Sequence, residues 1–260
     1  MFAKPTTYKT RLTIAPQQSL VEVARASMFP LPGEAEFPSP PALPNALLQL
    51  ELRLSAPVAD LSDITNIIRS DVGLTAQLLR LAAREIEESP DKIVALSEIV
   101  VHVGVEKLGA LAARTKALPH FSSHAGPSVS ERFWMHSRLT ALLAEELAAP
   151  CCEVSREEAY LAGLLFHLGD LPSLMGWKPA SSNAADSRHV GYRMARAWGF
   201  PRALADVIGG DREVCLTREA RALLDVVTDA DTWASRLEFL VARESATIRA
   251  KNPPYRLGRG

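Results

Sequence analysis

The sequence predicts an all-α protein: a multi-helix bundle in two helical lobes, preceded by a proline-rich extension. Three observations carry this. Apolar residues recur at helical spacing in one segment after another, and short polar turns separate those segments. No run alternates apolar and polar residues for long enough to make a convincing strand, and no fixed-period repeat is present. With 260 residues, 47% of them hydrophobic, the chain can bury a sizeable core in one large or two small domains.

The elements follow in order. Ser19 to Phe29 has Leu20, Val23 and Ala24 on one face and predicts a short amphipathic helix. Eight of the 18 prolines fall within the first 44 residues, and "FPLPGEAEFPSPPALP" (Phe29 to Pro44) predicts an extended linker, because proline has no amide proton and clashes with a preceding turn. Pro44 suits a first helical turn, with Leu47, Leu48, Glu51 and Leu54 following at helical spacing. "DLSDITNIIRSD" places Leu61, Ile64, Ile67 and Ile68 on one face with Ser62 as its cap. Asp71 caps the next helix, which presents Leu74, Leu78, Leu81 and Ala82. Ser97 opens a short helix ending near His102 to Gly104, and another starts at Val105. "PHFSSHAGPSVS" reads as a loop. Ser130 to Ala149 predicts a long helix with Phe133, His136, Thr140, Leu143 and Leu147 along one face. Ser155 and Glu158 form a capping box. Helices follow at Asp186 to Trp198, Pro201 to Ile208 and from Thr217 towards Ala246. The domain reading is an extension over 1–40, a body over 41–246 split at 118/119, and a tail over 247–260.

Bulk chemistry narrows the function. Twenty-nine basic residues against 30 acidic ones leave a net charge of -1, without the basic excess of a phosphate-binding surface, so nucleic acid is not the expected partner. The three cysteines, Cys151, Cys152 and Cys215, make neither a disulfide framework nor a zinc ladder. No apolar run reaches membrane-spanning length and the N-terminus lacks a signal-peptide core, so the expectation is a cytoplasmic protein with no membrane partner.

"YLAGLLFHLGDLPSLMG" (Tyr160 to Gly176) carries the chemistry worth weighing: His167 sits inside an apolar helix, with Asp170 just past a glycine. His136 shares a face with Phe133 and Leu143, and both histidines should point inward, with Asp231 as the nearest carboxylate candidate. Converging side chains of this kind build metal sites in helical bundles. Core or boundary histidines, each with one hydrogen bond, are the favoured explanation of the pattern.

Five stretches in unbroken order resemble the HDOD family, the HD-related output domains of bacterial signalling proteins. They are "LPNALLQLELRLSAPVADLSDITNIIRSDVGLTAQLLRLAA" from Leu43, "ALSEIVVHVGVEKLGALA" from Ala95, "FWMHSRLTALLAEELA" from Phe133, "AYLAGLLFHLGDL" from Ala159 and "HVGYRMARAWGFPRALADVI" from His189. The likeness spans about Pro41 to Ala242 and implies an HD-related bundle, a degenerate relative of metal phosphohydrolases. It places the first metal histidine at His136, the His-Asp pair at Phe166 and His167, the last aspartate at Asp231, and a further family histidine at His189. The histidine pair that often follows is replaced by Gly209 and Gly210. Phenylalanine offers no lone pair, and an imidazole in place of a carboxylate removes negative charge that would offset a cation. The departures imply a vestigial site with no catalytic residue, no metal and no other cofactor.

The functional expectation is a non-catalytic regulatory module, not an enzyme, acting on a signalling protein partner. Two alternatives remain: a residual phosphohydrolase using His136, His167, His189 and Asp231, and a regulator holding a nucleotide second messenger through Arg138, Arg188, Arg193 and Arg196. A helix-turn-helix over Ile64 to Leu81 is a weaker third, since Arg80 and Arg84 lie at the far end of its second helix.

Overall fold

The computed structural model describes residues 11–13, 37–85, 95–118, 128–151, 153–177, 184–211, 213, 215 and 217–251. The helix expected at Ser19 to Phe29, the loop after Leu118 and residues 252–260 of the tail lie outside them, apart from Ser128 and the residues that follow it. Helices dominate what is described, as expected. The first lobe holds α1 (Pro44–Leu54), α2 (Leu61–Arg69), α3 (Val72–Glu85) and α4 (Leu96–Arg114). The second holds α5 (Val129–Ala148), α6 (Arg156–Leu165), a 3-10 turn at Leu168–Asp170, α7 (Leu171–Met175), α8 (Ala184–Ala197), α9 (Arg202–Gly209) and α10 (Arg218–Lys251).

Local chemistry sets the boundaries. α2 is capped by Asp60, whose carboxylate accepts from the Ser62 amide at 2.9 Å, so Ser62 is inside the helix and not its cap. Ser128 and Ser155 each form a full capping box, with Glu131 and Glu158, at the starts of α5 and α6. The two helices expected either side of Gly104 meet there without a loop: Gly104 has φ 78°, a left-handed conformation that costs a glycine little, and it kinks α4. Among the described residues the one sheet is an antiparallel pair of three-residue strands, β1 (Arg11–Thr13) and β2 (Val58–Asp60), with Leu12 opposite Ala59. Part of the N-terminal extension is therefore hydrogen-bonded to the body.

The end of the proline-rich stretch is also part of the body. Phe37 is buried, the Gln77 side-chain amide donates to the Pro40 carbonyl at 2.8 Å, and Ala42 exchanges backbone hydrogen bonds with Lys116 and Leu118. Strand-like pairing suits Pro41 because its neighbours supply the donors that it lacks.

Helix α3 lies within the core. Every residue from Val72 to Ala82 is buried, and one continuous apolar cluster runs from Phe37 to Ala230 across both lobes. A helix enclosed on all sides cannot lie in a DNA groove, which removes the helix-turn-helix alternative. Polar contacts tie the lobes beside this core. Asp71, fully buried, accepts from the Leu43 and Leu74 amides at 2.8 Å and from the Trp134 indole at 3.1 Å. Burial pushes its carboxyl up to about 6, against the pull of those hydrogen bonds. Tyr160 donates its hydroxyl to the Arg69 carbonyl at 2.9 Å, and the Arg69 guanidinium lies 3.8 Å over the Tyr160 ring while pairing with Glu145.

Candidate functional site: a histidine and aspartate cluster between α5, α6 and α10

Helix α5 brings His136, the end of α6 brings Phe166 and His167, and α10 brings Asp231. Small residues let these helices approach: Ala141 on α5 faces Gly163 on α6, where an added Cβ would stand 2.9 Å from the Ala141 Cα. His136 Nε2 and His167 Nε2 lie 2.9 and 2.8 Å from one oxygen of Asp231, Oδ1. The imidazoles meet edge to face with centroids 5.0 Å apart. Each outer ring nitrogen faces another carboxylate: His136 Nδ1 is 3.2 Å from Glu238, and His167 Nδ1 is 3.4 Å from Asp170.

These pairings set the protonation. The hydrogen bond to Asp231 raises the His136 pKa and outweighs burial. Burial works against the charged form of His167, yet the hydrogen bonds to Asp170 and Asp231 carry its pKa upward. Burial would raise Asp231, but hydrogen bonds from both histidines hold it well below the usual carboxylate range.

The neighbouring position has a different character. Phe166 is buried, with its ring 5.4 Å from that of His167, and the Arg188 guanidinium lies 3.6 Å over its centre. Arg188 Nη1 also donates to the Phe166 carbonyl at 3.3 Å, and Asp231 and Asp170 supply facing negative charge. Gly210 makes room for this arginine. A Cβ there would stand 3.2 Å from Arg188 Cδ, and its φ of 67° ends α9 in a left-handed cap. Gly169 packs so tightly on α8 that an added Cβ would fall 1.7 Å from the Ser187 carbonyl oxygen. That contact fixes Asp170 and His167 against the helix that carries Arg188.

The family model for the HDOD domain matches residues 41–213. The chain belongs to the HDOD family. The fold agrees with solved relatives. The MmoQ response regulator of Methylococcus capsulatus is 15% identical with a TM-score of 0.58, covering 75% of this chain and 86% of that one. A Campylobacter jejuni protein described as a virulence factor is 14% identical with a TM-score of 0.53, covering 82% of this chain and 80% of the other. No curated protein matches in sequence.

Within this HDOD domain the sequence-predicted residues divide. His136, His167 and Asp231 come together, and Phe166 sits beside them. His189 is exposed on α8 and stands outside the cluster. The four arginines do not form one phosphate cradle. Arg138 borders a cleft with Ser70 and Asp63, Arg188 covers Phe166, the Arg193 guanidinium is 5.8 Å from the Phe37 ring centre, and Arg196 is exposed. Two partners escaped the sequence reading in their roles. Glu238 lies seven residues past Asp231, two helical turns on and on the same face, while Asp170 lies one turn past His167.

The donor set itself fits one divalent transition ion. Ligand atoms of His136, His167 and Asp231 lie within 4.8 Å of one another, and both outer ring nitrogens face carboxylates, the contact that orients ligating imidazoles. Those three residues would hold such an ion, and when bound it would polarise a coordinated water.

Proposed function

We propose that this HDOD domain is a non-catalytic regulatory module that acts by binding a signalling protein in the cytoplasm. The observation carrying this reading is the Arg188–Phe166 stack. At the position where the resemblance expects a metal histidine, the chain presents an aromatic ring covered by a guanidinium, and Gly210 is shaped to admit it. A phenyl ring donates no electron pair, and a fixed cation beside the cluster repels a second one. Hydrolysis by a bound water needs an open coordination position next to the substrate phosphate, and here the Arg188 guanidinium stands over Phe166, facing Asp231 and Asp170. Among the described residues no helix is long and apolar enough to cross a membrane.

The test is turnover. Purified protein supplied with Mn²⁺ and offered a simple phosphodiester and cyclic dinucleotides should show no hydrolysis above that of His136→Ala. Hydrolysis abolished by that substitution overturns the proposal. A capture experiment comparing the full chain with one starting at Phe37 then identifies the partner and the share of the extension in holding it.

The convergence of His136, His167 and Asp231 favours a second reading, a single ion held for structure or regulation. Elemental analysis of protein purified without chelator separates the two. Less than a small fraction of an equivalent fits the first reading, and one equivalent, lost in His167→Ala, fits the second.

A further inference from the structure

Helix α10 runs for 34 residues, roughly 51 Å at the usual helical rise. Among the described side chains of α10, the last buried one is Ala234. From Ser235 to Ser245 every residue is exposed, although the stretch includes large apolar side chains: Leu237 is 39% exposed, Phe239 66%, Leu240 54% and Val241 65%. Trp233, one turn before, is 50% exposed. Scattered exposed apolar residues are ordinary, but five within nine residues of one helix, exposed among the described residues, are not.

The pattern is ordered. Trp233, Leu237 and Leu240 are spaced by four and then three, the spacing of a helix-pairing seam. Arg236 and Glu244 stand four residues on either side of Leu240. If two copies of this helix cross antiparallel about a two-fold axis at Leu240, each Arg236 meets Glu244 of the second copy, and the leucines pack on each other. An isologous interface requires this kind of self-complementary surface. The Arg236 guanidinium already lies 5.4 Å from the centre of its own Trp233 ring, on the same side as the seam. Glu238, on the neighbouring face, reaches His136, so the seam adjoins the histidine cluster without using its residues.

We propose that the projecting half of α10 is a homodimerisation surface: two copies pair antiparallel through Trp233, Leu237 and Leu240, with reciprocal Arg236–Glu244 ion pairs. This stands apart from the signalling reading, since a domain with or without turnover can use it.

Sedimentation of the full chain over a micromolar concentration series tests the proposal. The expected result is a reversible dimer that Leu240→Arg converts to monomer while its far-UV dichroism and thermal midpoint hold. Arg236→Glu and Glu244→Arg should each weaken association by about tenfold or more, and the two together in one chain should restore it, because both ion pairs re-form with reversed sign. A chain that stays monomeric at about 100 μM, whether the face is covered by its own Ser19 to Phe29 segment or is bare, overturns the proposal. So does a dimer that ignores all three substitutions.

Discussion

The Arg188 guanidinium lies 3.6 Å over the centre of the Phe166 ring and donates to the Phe166 carbonyl. A permanent cation is thereby fixed next to two carboxylates, Asp231 and Asp170, and the charge of this cluster decides what it can bind.

Removing that cation should change metal uptake. Arg188→Met keeps most of the aliphatic contact with Gly210 and Phe166 but leaves the carboxylates less neutralised. After dialysis against Mn²⁺ or Zn²⁺, the variant should retain more metal than the parent, by at least several-fold, when read by elemental analysis. Equal retention would show that Arg188 does not limit occupancy.

The cluster should make stability depend on pH from both sides in chelated protein. His136 and His167 have folded pKa values raised above 6.5, so their contribution is complete below that value and is lost as pH rises through the folded values. Asp231 is depressed, so its contribution is present above 3.8 and is lost as pH falls towards its folded value. Urea midpoints measured with a chelator should therefore decline above neutrality. His136→Ala should flatten that alkaline limb.

If the second reading holds and an ion binds, it must displace the protons on both imidazoles. Affinity should then rise with pH by up to about two logarithmic units per pH unit while both are protonated. Competition with a metal-sensitive dye at several pH values reads this slope directly, and a pH-independent affinity would place the ion elsewhere.

Asp71 is buried at the junction of the lobes, and its ionised form is penalised. With the folded value about 6 against 3.8 unfolded, this group alone lowers stability as pH climbs between them, on the order of 3 kcal/mol in total, and has no further effect above. Asp71→Ala should still destabilise the fold by about 2–5 kcal/mol at neutral pH, because the Leu43 and Leu74 amides and the Trp134 indole lose their acceptor. Chemical denaturation followed by tryptophan fluorescence measures both effects.

Gly169→Ala should cost about 1–3 kcal/mol or more, since the added methyl would meet the Ser187 carbonyl oxygen at 1.7 Å. Because the same contact seats His167, the variant should also shift the imidazole resonances of the cluster. A stable variant with unchanged resonances would refute the positioning role of this turn.

Much of the fold was legible because helical periodicity is a local property. The stripes at Leu61, Ile64 and Ile68, the capping box at Ser155 and Glu158, and the inward faces of His136 and His167 each follow from spacing within one or two turns. Boundaries were less legible where a cap lay outside the apolar pattern. Asp60 caps α2 from the end of β2, and Pro40 is held by Gln77, a partner 37 residues away. The tail was expected to leave the helix near Ala246, whereas α10 continues to Lys251.

The sequence by itself determined that this chain is helical, that His136 and His167 face inward, and which positions of the HD pattern are altered, because these depend on residue type and short-range geometry. Only the tertiary structure decided that one oxygen of Asp231 serves both imidazoles, that Gly210 admits Arg188 over Phe166, that α3 is enclosed and not a DNA reader, and that Ser235 to Ser245 of α10 is exposed. Each of those depends on how far apart helices pack and at what rotation, and distances between segments remote in the chain are set by the fit of side chains across the whole core.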